Sequence, residues 1–196
     1  MITLGITGGI GSGKSTVSRL FSLYDVPVYI ADTESKRLVA TSPVIREKLT
    51  AMFGNELFEG GVLNKALLAA HIFNDREKLE KVNAIIHPEV AADFARWQAA
   101  HSQYDIVAQE AAILFESEFN KYMDKVVMVY TPLEMRIERT MKRDGVGREL
   151  VMERIKNQMS DEKKAELSDF VVVNDGTQSL IGQVAQILHR LKSINK

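Results

Sequence analysis

The residues Gly8-Gly9-Ile10-Gly11-Ser12-Gly13-Lys14-Ser15-Thr16 have the types and spacing of a phosphate cradle. Gly8, then four residues, then Gly13, Lys14 and Ser15 fit the P-loop pattern. In such a loop, backbone N–H groups and a helix N-terminus face phosphate oxygens, and glycines let the backbone come close. Lys14 would reach the β- and γ-phosphates, and the Ser15 hydroxyl would ligate magnesium. Gly11, Ser12 and Thr16 complete the expected nucleotide-binding stretch.

Other residues carry complementary chemistry. Asp32 follows the short apolar run Val26 to Ala31. A carboxylate at a strand's carboxyl end can take a proton from an attacking hydroxyl, hold a magnesium-bound water, or cap a helix starting near Thr33. Glu110 ends a second such run, Asp105 to Ala108, across an interrupting Gln109. It is a candidate for organising magnesium or for pairing with a nearby cation. From Arg136 to Arg148 there are five basic residues against two acidic ones, with Arg136, Arg139 and Arg143 sharing one helical face. Arginine binds phosphate oxygens bidentately and stays charged, which suits a lid over a triphosphate. His71, His87, His101 and His189 lack zinc-type spacing, so magnesium is the one metal expected.

These side chains need a scaffold. Ile2 to Thr7 reads as a buried strand, and Val17, Leu20 and Phe21 mark the helix after the loop. Further strands are expected at Val26–Ala31, Asp105–Ala108, Lys125–Tyr130 and Phe170–Val173. Residues from about 41 to 100 read as almost wholly helical: Pro43 after a Ser42 cap, Asn64 capping the next run, and a break at His87-Pro88. Thr131-Pro132-Leu133-Glu134 reads as a cap, a first-turn proline and a capping box, with Leu133, Ile137 and Met141 as the buried stripe. Asn174-Asp175-Gly176 is turn chemistry after the last strand.

At 196 residues the chain suits one domain with an inserted subdomain. The expected architecture is α/β, a three-layer P-loop kinase fold around a parallel sheet. It has a core of residues 1–40 and 102–196, a helical substrate-binding insertion at about 41–101, and an arginine lid at about 136–159. Net charge of −1 argues against a nucleic-acid partner, because no global basic field exists. With no cysteine, disulfides, thiolate metal sites and cysteine nucleophiles are excluded. No apolar run approaches membrane-span length, and Met1 leads straight into the first strand, so a cytoplasmic protein is expected, a monomer or weak homo-oligomer. A guanine-nucleotide switch is disfavoured: Asn64-Lys65-Ala66-Leu67 and Asn120-Lys121-Tyr122-Met123 both lack the closing Asp of the base-reading motif. A small-molecule or nucleotide kinase remains.

The ordered set of motifs resembles the dephospho-coenzyme A kinase family nearly end to end. It comprises Gly5 to Val17, Ala31-Asp32, Gly61-Val62-Leu63-Asn64-Lys65, Ile86-His87-Pro88-Glu89-Val90 and Ile113-Leu114-Phe115-Glu116. It continues through Arg139 with Arg143-Asp144-Gly145, Arg154-Ile155 with Gln158, and Val173-Asn174-Asp175-Gly176. The resemblance implies ATP-dependent phosphorylation of the ribose 3′-hydroxyl of dephospho-coenzyme A, with Asp32 as general base and Arg139 and Arg143 on the transferred group. It places Asn174 and Gly176 toward the adenine, and Lys65, His87, Leu114 and Phe115 around the acceptor. Three departures stand out, one of them Ile30 before Ala31-Asp32, where the family often places another acid. The family's usual Asp-x-Pro-Leu-Leu-Phe-Glu reads Glu110-Ala111-Ala112-Ile113-Leu114-Phe115-Glu116, and its Leu-Asp-Arg reads Leu63-Asn64-Lys65.

Overall fold

Strand β1 (Ile2–Thr7) is buried along its whole length, as befits the middle of a parallel sheet covered on both faces. The structure, a computed structural model, describes residues 1–73 and 75–194. After β1 come α1 (Lys14–Leu23), β2 (Val28–Ile30), α2 (Ala31–Thr41), α3 (Pro43–Phe53), the short strands β3 (Phe58–Glu59) and β4 (Val62–Leu63), α4 (Lys65–Ile72) and α5 (Arg76–Ala100). The chain then forms β5 (Ile106–Glu110), β6 (Lys125–Tyr130), α6 (Leu133–Asp144), α7 (Arg148–Lys156), α8 (Asp161–Leu167), β7 (Phe170–Val173) and α9 (Leu180–Ile194). Among the described residues, no helix is long and apolar enough to cross a membrane.

Two compact units divide the chain: 1–30 with 101–196, and 31–100. The split falls at Ala31 rather than near 41, so Asp32 belongs to the second unit.

The first unit holds a five-stranded sheet in the order β2-β5-β1-β6-β7, parallel at every pairing. One face is apolar. Ile2, Leu4, Ile6, Ile106, Ala108, Val127, Val129 and Val172 pack there with Val17 and Phe21 of α1 and Val184, Leu188 and Leu191 of α9. Each fully buried large apolar side chain contributes about 1.5–3 kcal/mol, and this cluster holds the sheet to its helices. Over the other face, Leu114 and Met123 lie against Gly5, where any side chain would collide with Leu114.

The second unit is helical apart from the β3–β4 hairpin, which the helical reading of 41–100 missed. Gly60 and Gly61 turn this hairpin, both with positive φ (57° and 85°), as a two-residue connection requires. Ile45, Leu49 and Phe53 of α3 and Val82, Val90 and Phe94 of α5 are buried. Ser42 caps α3 through Ile45 N–H (3.3 Å) and Asn64 caps α4 through Leu67 N–H (3.0 Å), as expected. The expected break at His87-Pro88 does not occur, and α5 runs through Pro88. Interior proline costs about 3 kcal/mol. Burial of Val82 before it and of Val90 and Phe94 after it offsets that cost, helped by the Arg37–Asp93 ion pair (2.6 Å) between α2 and α5.

Candidate active site

The phosphate loop leaves the carboxyl end of β1, the central strand, and enters α1. Gly13 occupies the N-cap position at φ 87°, where L side chains are strained, and a Cβ there would strike the Asn174 amide. No carboxylate sits in the first turn of α1, so the positive end of its dipole favours an anion. Within the loop, Ser12 N–H donates to Gly9 O (3.1 Å) and Thr16 N–H to Gly13 O (3.0 Å). The half-buried Lys14 donates from Nζ to the carbonyls of Gly8 (3.0 Å) and Gly9 (3.3 Å). Ser15 and Thr16 are exposed on the first turn. Among the described residues, Thr7 Oγ1 and Ser12 Oγ are buried without a hydrogen-bond partner, a polar demand that suits a phosphate-bearing ligand.

Several distant segments converge on this loop. Asn174, just past β7, donates from Nδ2 to Ser12 O (2.8 Å). Thr131 Oγ1 lies 2.9 Å from Ser12 O and 3.0 Å from Asn174 O. Arg139 Nη1 is 3.3 Å from Asn174 O, which brings one expected lid arginine to the loop's edge. Gly176 lies exposed two residues beyond Asn174, at φ 86°.

Thr131 is therefore no helix cap. Pro132 holds the N-cap position of α6, and Glu134, expected in a capping box, pairs instead with Arg148 (2.7 and 2.8 Å). The buried stripe of α6 is Arg136, Ile137 and Thr140, whereas Leu133 is 43% exposed. Arg136 turns inward, donating from Nε to Ile10 O (2.9 Å) and pairing with Asp161. Burial lowers its pKa, opposed by the negative charge of Glu162. Arg143 does not join the loop. It is exposed and chelates Asp144 (2.7 and 3.1 Å), a hydrogen-bonded pairing that raises the arginine's pKa and lowers the carboxylate's.

Glu110 closes β5 and pairs in register with Ile6 on one side and Ile30 on the other. Gln109 does not interrupt the strand: it pairs with Gly5 and is 1% exposed. Past Glu110 the segment folds inward. Leu114 is fully buried and presents no surface to a ligand, a correction to its expected place around the acceptor; Phe115 is 9% exposed. Lys164 of α8, wholly buried, holds this segment by donating to Ala112 O (2.6 Å) and pairing with Glu116 (2.9 Å). Desolvation lowers the Lys164 pKa, and Glu116 opposes that.

Asp32, Lys65 and His87 belong to the second unit. Asp32 is exposed in the first turn of α2, which starts at Ala31, so Asp32 does not cap a helix at Thr33. Lys65 is the exposed first residue of α4. His87 is half-buried in α5, and burial lowers its pKa.

Thr131 and Lys164 were not candidates from sequence, Gln158 stood only within a motif of the family resemblance, and Arg136 was expected on the lid. Thr131 and Arg136 had visible but misleading signals, a cap and an arginine face read as a lid, while nothing in the spacing marks a buried lysine on α8.

Known proteins resemble this chain in sequence and fold. The model of the CoaE family, dephospho-CoA kinase, matches residues 2–179. The dephospho-CoA kinase of Bacteroides fragilis strain YCH46 is 50% identical over 187 residues, covering 95% of this chain and 91% of its own. The crystal structure of TT1252 from Thermus thermophilus superposes with a TM-score of 0.85 at 32% identity over 96% of each chain. The dephospho-CoA kinase of Campylobacter jejuni shares the fold, with a TM-score of 0.72 at 21% identity over 99% of this chain and 98% of its own. The parallel sheet, the glycine loop at its central strand and a match across most of the chain lead to one assignment: the chain belongs to the dephospho-CoA kinase family.

Proposed function

We propose that the chain transfers the γ-phosphoryl group of ATP to the ribose 3′-hydroxyl of dephospho-coenzyme A, with Asp32 as the base that takes the hydroxyl proton. The observation that carries this reading is the phosphate loop at the carboxyl end of the central strand, with Lys14 resting on the Gly8 and Gly9 carbonyls. Phosphoryl transfer asks the protein for positioning and charge stabilisation more than for covalent chemistry. The loop N–H groups from Gly8 to Thr16 and the dipole of α1 hold the phosphates, and Lys14 turns from the two carbonyls to the β- and γ-oxygens. Asn174 and Gly176 border the adenine.

Magnesium, bound with ATP, supplies Lewis-acid charge stabilisation. The donors fit it. Ser15 offers an exposed hydroxyl on the first turn of α1 and Glu110 a carboxylate at a strand end, and hard oxygen ligands of this kind suit a cation that keeps much of its water. Arg139 meets the transferred group from the edge of the loop, and Arg143 joins it by exchanging Asp144 for phosphate as the lid of residues 136–159 closes. Lys65, His87 and Phe115 bind the acceptor.

An acceptor screen with magnesium–ATP, following ADP release, tests the reading. Turnover is expected with dephospho-coenzyme A and not with nucleosides, adenylate or shikimate. Turnover with one of those and none with dephospho-coenzyme A would sink the assignment.

A further inference from the structure

Ile10, at the tip of the phosphate loop, has both backbone polar groups taken by side chains from far along the chain. Its N–H donates to Oε1 of Gln158 (2.9 Å), in the joint between α7 and α8. Its carbonyl accepts from Nε of Arg136 (2.9 Å), and Arg136 is anchored in turn by Asp161, the first residue of α8. A Cβ on Gly9 would displace the Arg136 guanidinium from this position.

Peptide planarity gives these bonds a consequence at the reacting end of the loop. The Ile10 N–H and the Gly9 carbonyl belong to one rigid plane. Gly9 O is the acceptor for Ser12 N–H (3.1 Å) and for Lys14 Nζ (3.3 Å). The Gln158 bond therefore orients the same peptide that receives the lysine ammonium and closes the loop's internal turn. Rotating that plane would displace both partners. Because Ile10 N–H is engaged on the α7–α8 side, this peptide acts as the loop's fixed strut while later N–H groups face the ligand.

We infer that Gln158 is a positioning residue for nucleotide binding. Through the Gly9–Ile10 peptide it preforms the phosphate loop and sets the starting position of Lys14. This rests on the reading of the loop as an ATP site.

The test uses Gln158→Met, which keeps length and removes the acceptor, and Gln158→Asn, which keeps the amide and shortens the reach. Magnesium–ATP affinity is measured by calorimetry without acceptor, Ile10 amide exchange by NMR, and KM for each substrate by ADP release. Loss of one hydrogen bond predicts roughly threefold to tenfold weaker ATP binding in both variants. The Ile10 amide should exchange faster, KM for ATP should rise, and KM for dephospho-coenzyme A should stay within about twofold. A purely structural role would move both KM values together. Should one variant fail to fold, the other decides. Unchanged ATP affinity in a folded variant, or KM values that rise in parallel, overturns the role of Gln158 alone. Failure of the wild-type chain to bind magnesium–ATP overturns the nucleotide site itself and this role with it.

Discussion

Lys14 and Asp32 would serve the transfer in different roles, and their substitutions should fail differently. A general base contributes typically about 10²–10⁴-fold, so Asp32→Asn should lower kcat by that factor while ATP affinity and thermal stability hold. Single-turnover ADP release with calorimetry checks this, and near-normal turnover removes Asp32 as base. Lys14→Ala should instead weaken ATP binding together with turnover, whatever the acceptor. Individual residues show where reading stopped short. The loop's fixed residues were legible because glycine, lysine and serine at those spacings have few other reasons to occur together. Thr131 and Glu134 were not: a Thr-Pro-x-Glu pattern caps helices by local bonding, whereas here Ser12 and Arg148, distant in sequence, compete for both side chains. Arg136 was misplaced for the same reason, since only the folded chain supplies the carbonyl of Ile10 and the carboxylate of Asp161 that let a guanidinium be buried.

Among the elements, α8 and α5 carry the most exposed energetic commitments. Lys164→Met leaves the Ala112 carbonyl and the Glu116 carboxylate without their ammonium. Breaking a buried pair costs about 3–5 kcal/mol, so thermal melting should drop clearly while Glu116→Gln drops less. Equal melting temperatures for Lys164→Met and wild type would remove Lys164 as the tie for this segment. In α5, burial holds the His87 pKa below its ordinary value. The folded state then takes up its proton later than the unfolded chain, so the contribution is present above a pH of about 6.5 and is lost as pH falls through the folded value. Melting followed from pH 7.5 to 5 should fall less steeply in His87→Gln than in wild type. Strands β6 and β7 were legible to the residue because each is a short, almost wholly apolar run rich in valine. β5 ran two residues past its expected end because the sheet buries Gln109 opposite Gly5, a pairing with no local signature. α5 crossed its proline because tertiary burial outweighed a local penalty.

For the whole molecule, donor and acceptor should leave separate footprints. Magnesium–ATP alone is expected to slow hydrogen exchange across residues 8–16 and the first turn of α1, and dephospho-coenzyme A to add protection around α2, α4 and α5. Protection of residues 31–100 by ATP alone, with none in the loop, would contradict the division of labour. The near-neutral chain makes this division reasonable, because positive charge for a triphosphate has to be gathered locally, around Lys14 and Arg139, and not spread over the surface.

By itself the sequence determined the α/β class, the phosphate loop, the order of the main elements and the family resemblance. These depend on local periodicity and on motifs whose residues are neighbours in the chain. Tertiary structure decided which side chains surround the loop. Thr131, Arg136, Gln158 and Asn174 reach residues 9–13 from 119 to 162 positions away. Which of the many polar groups meets which is set by the parallel register and the packing of α6 to α8, and no spacing along the chain encodes that.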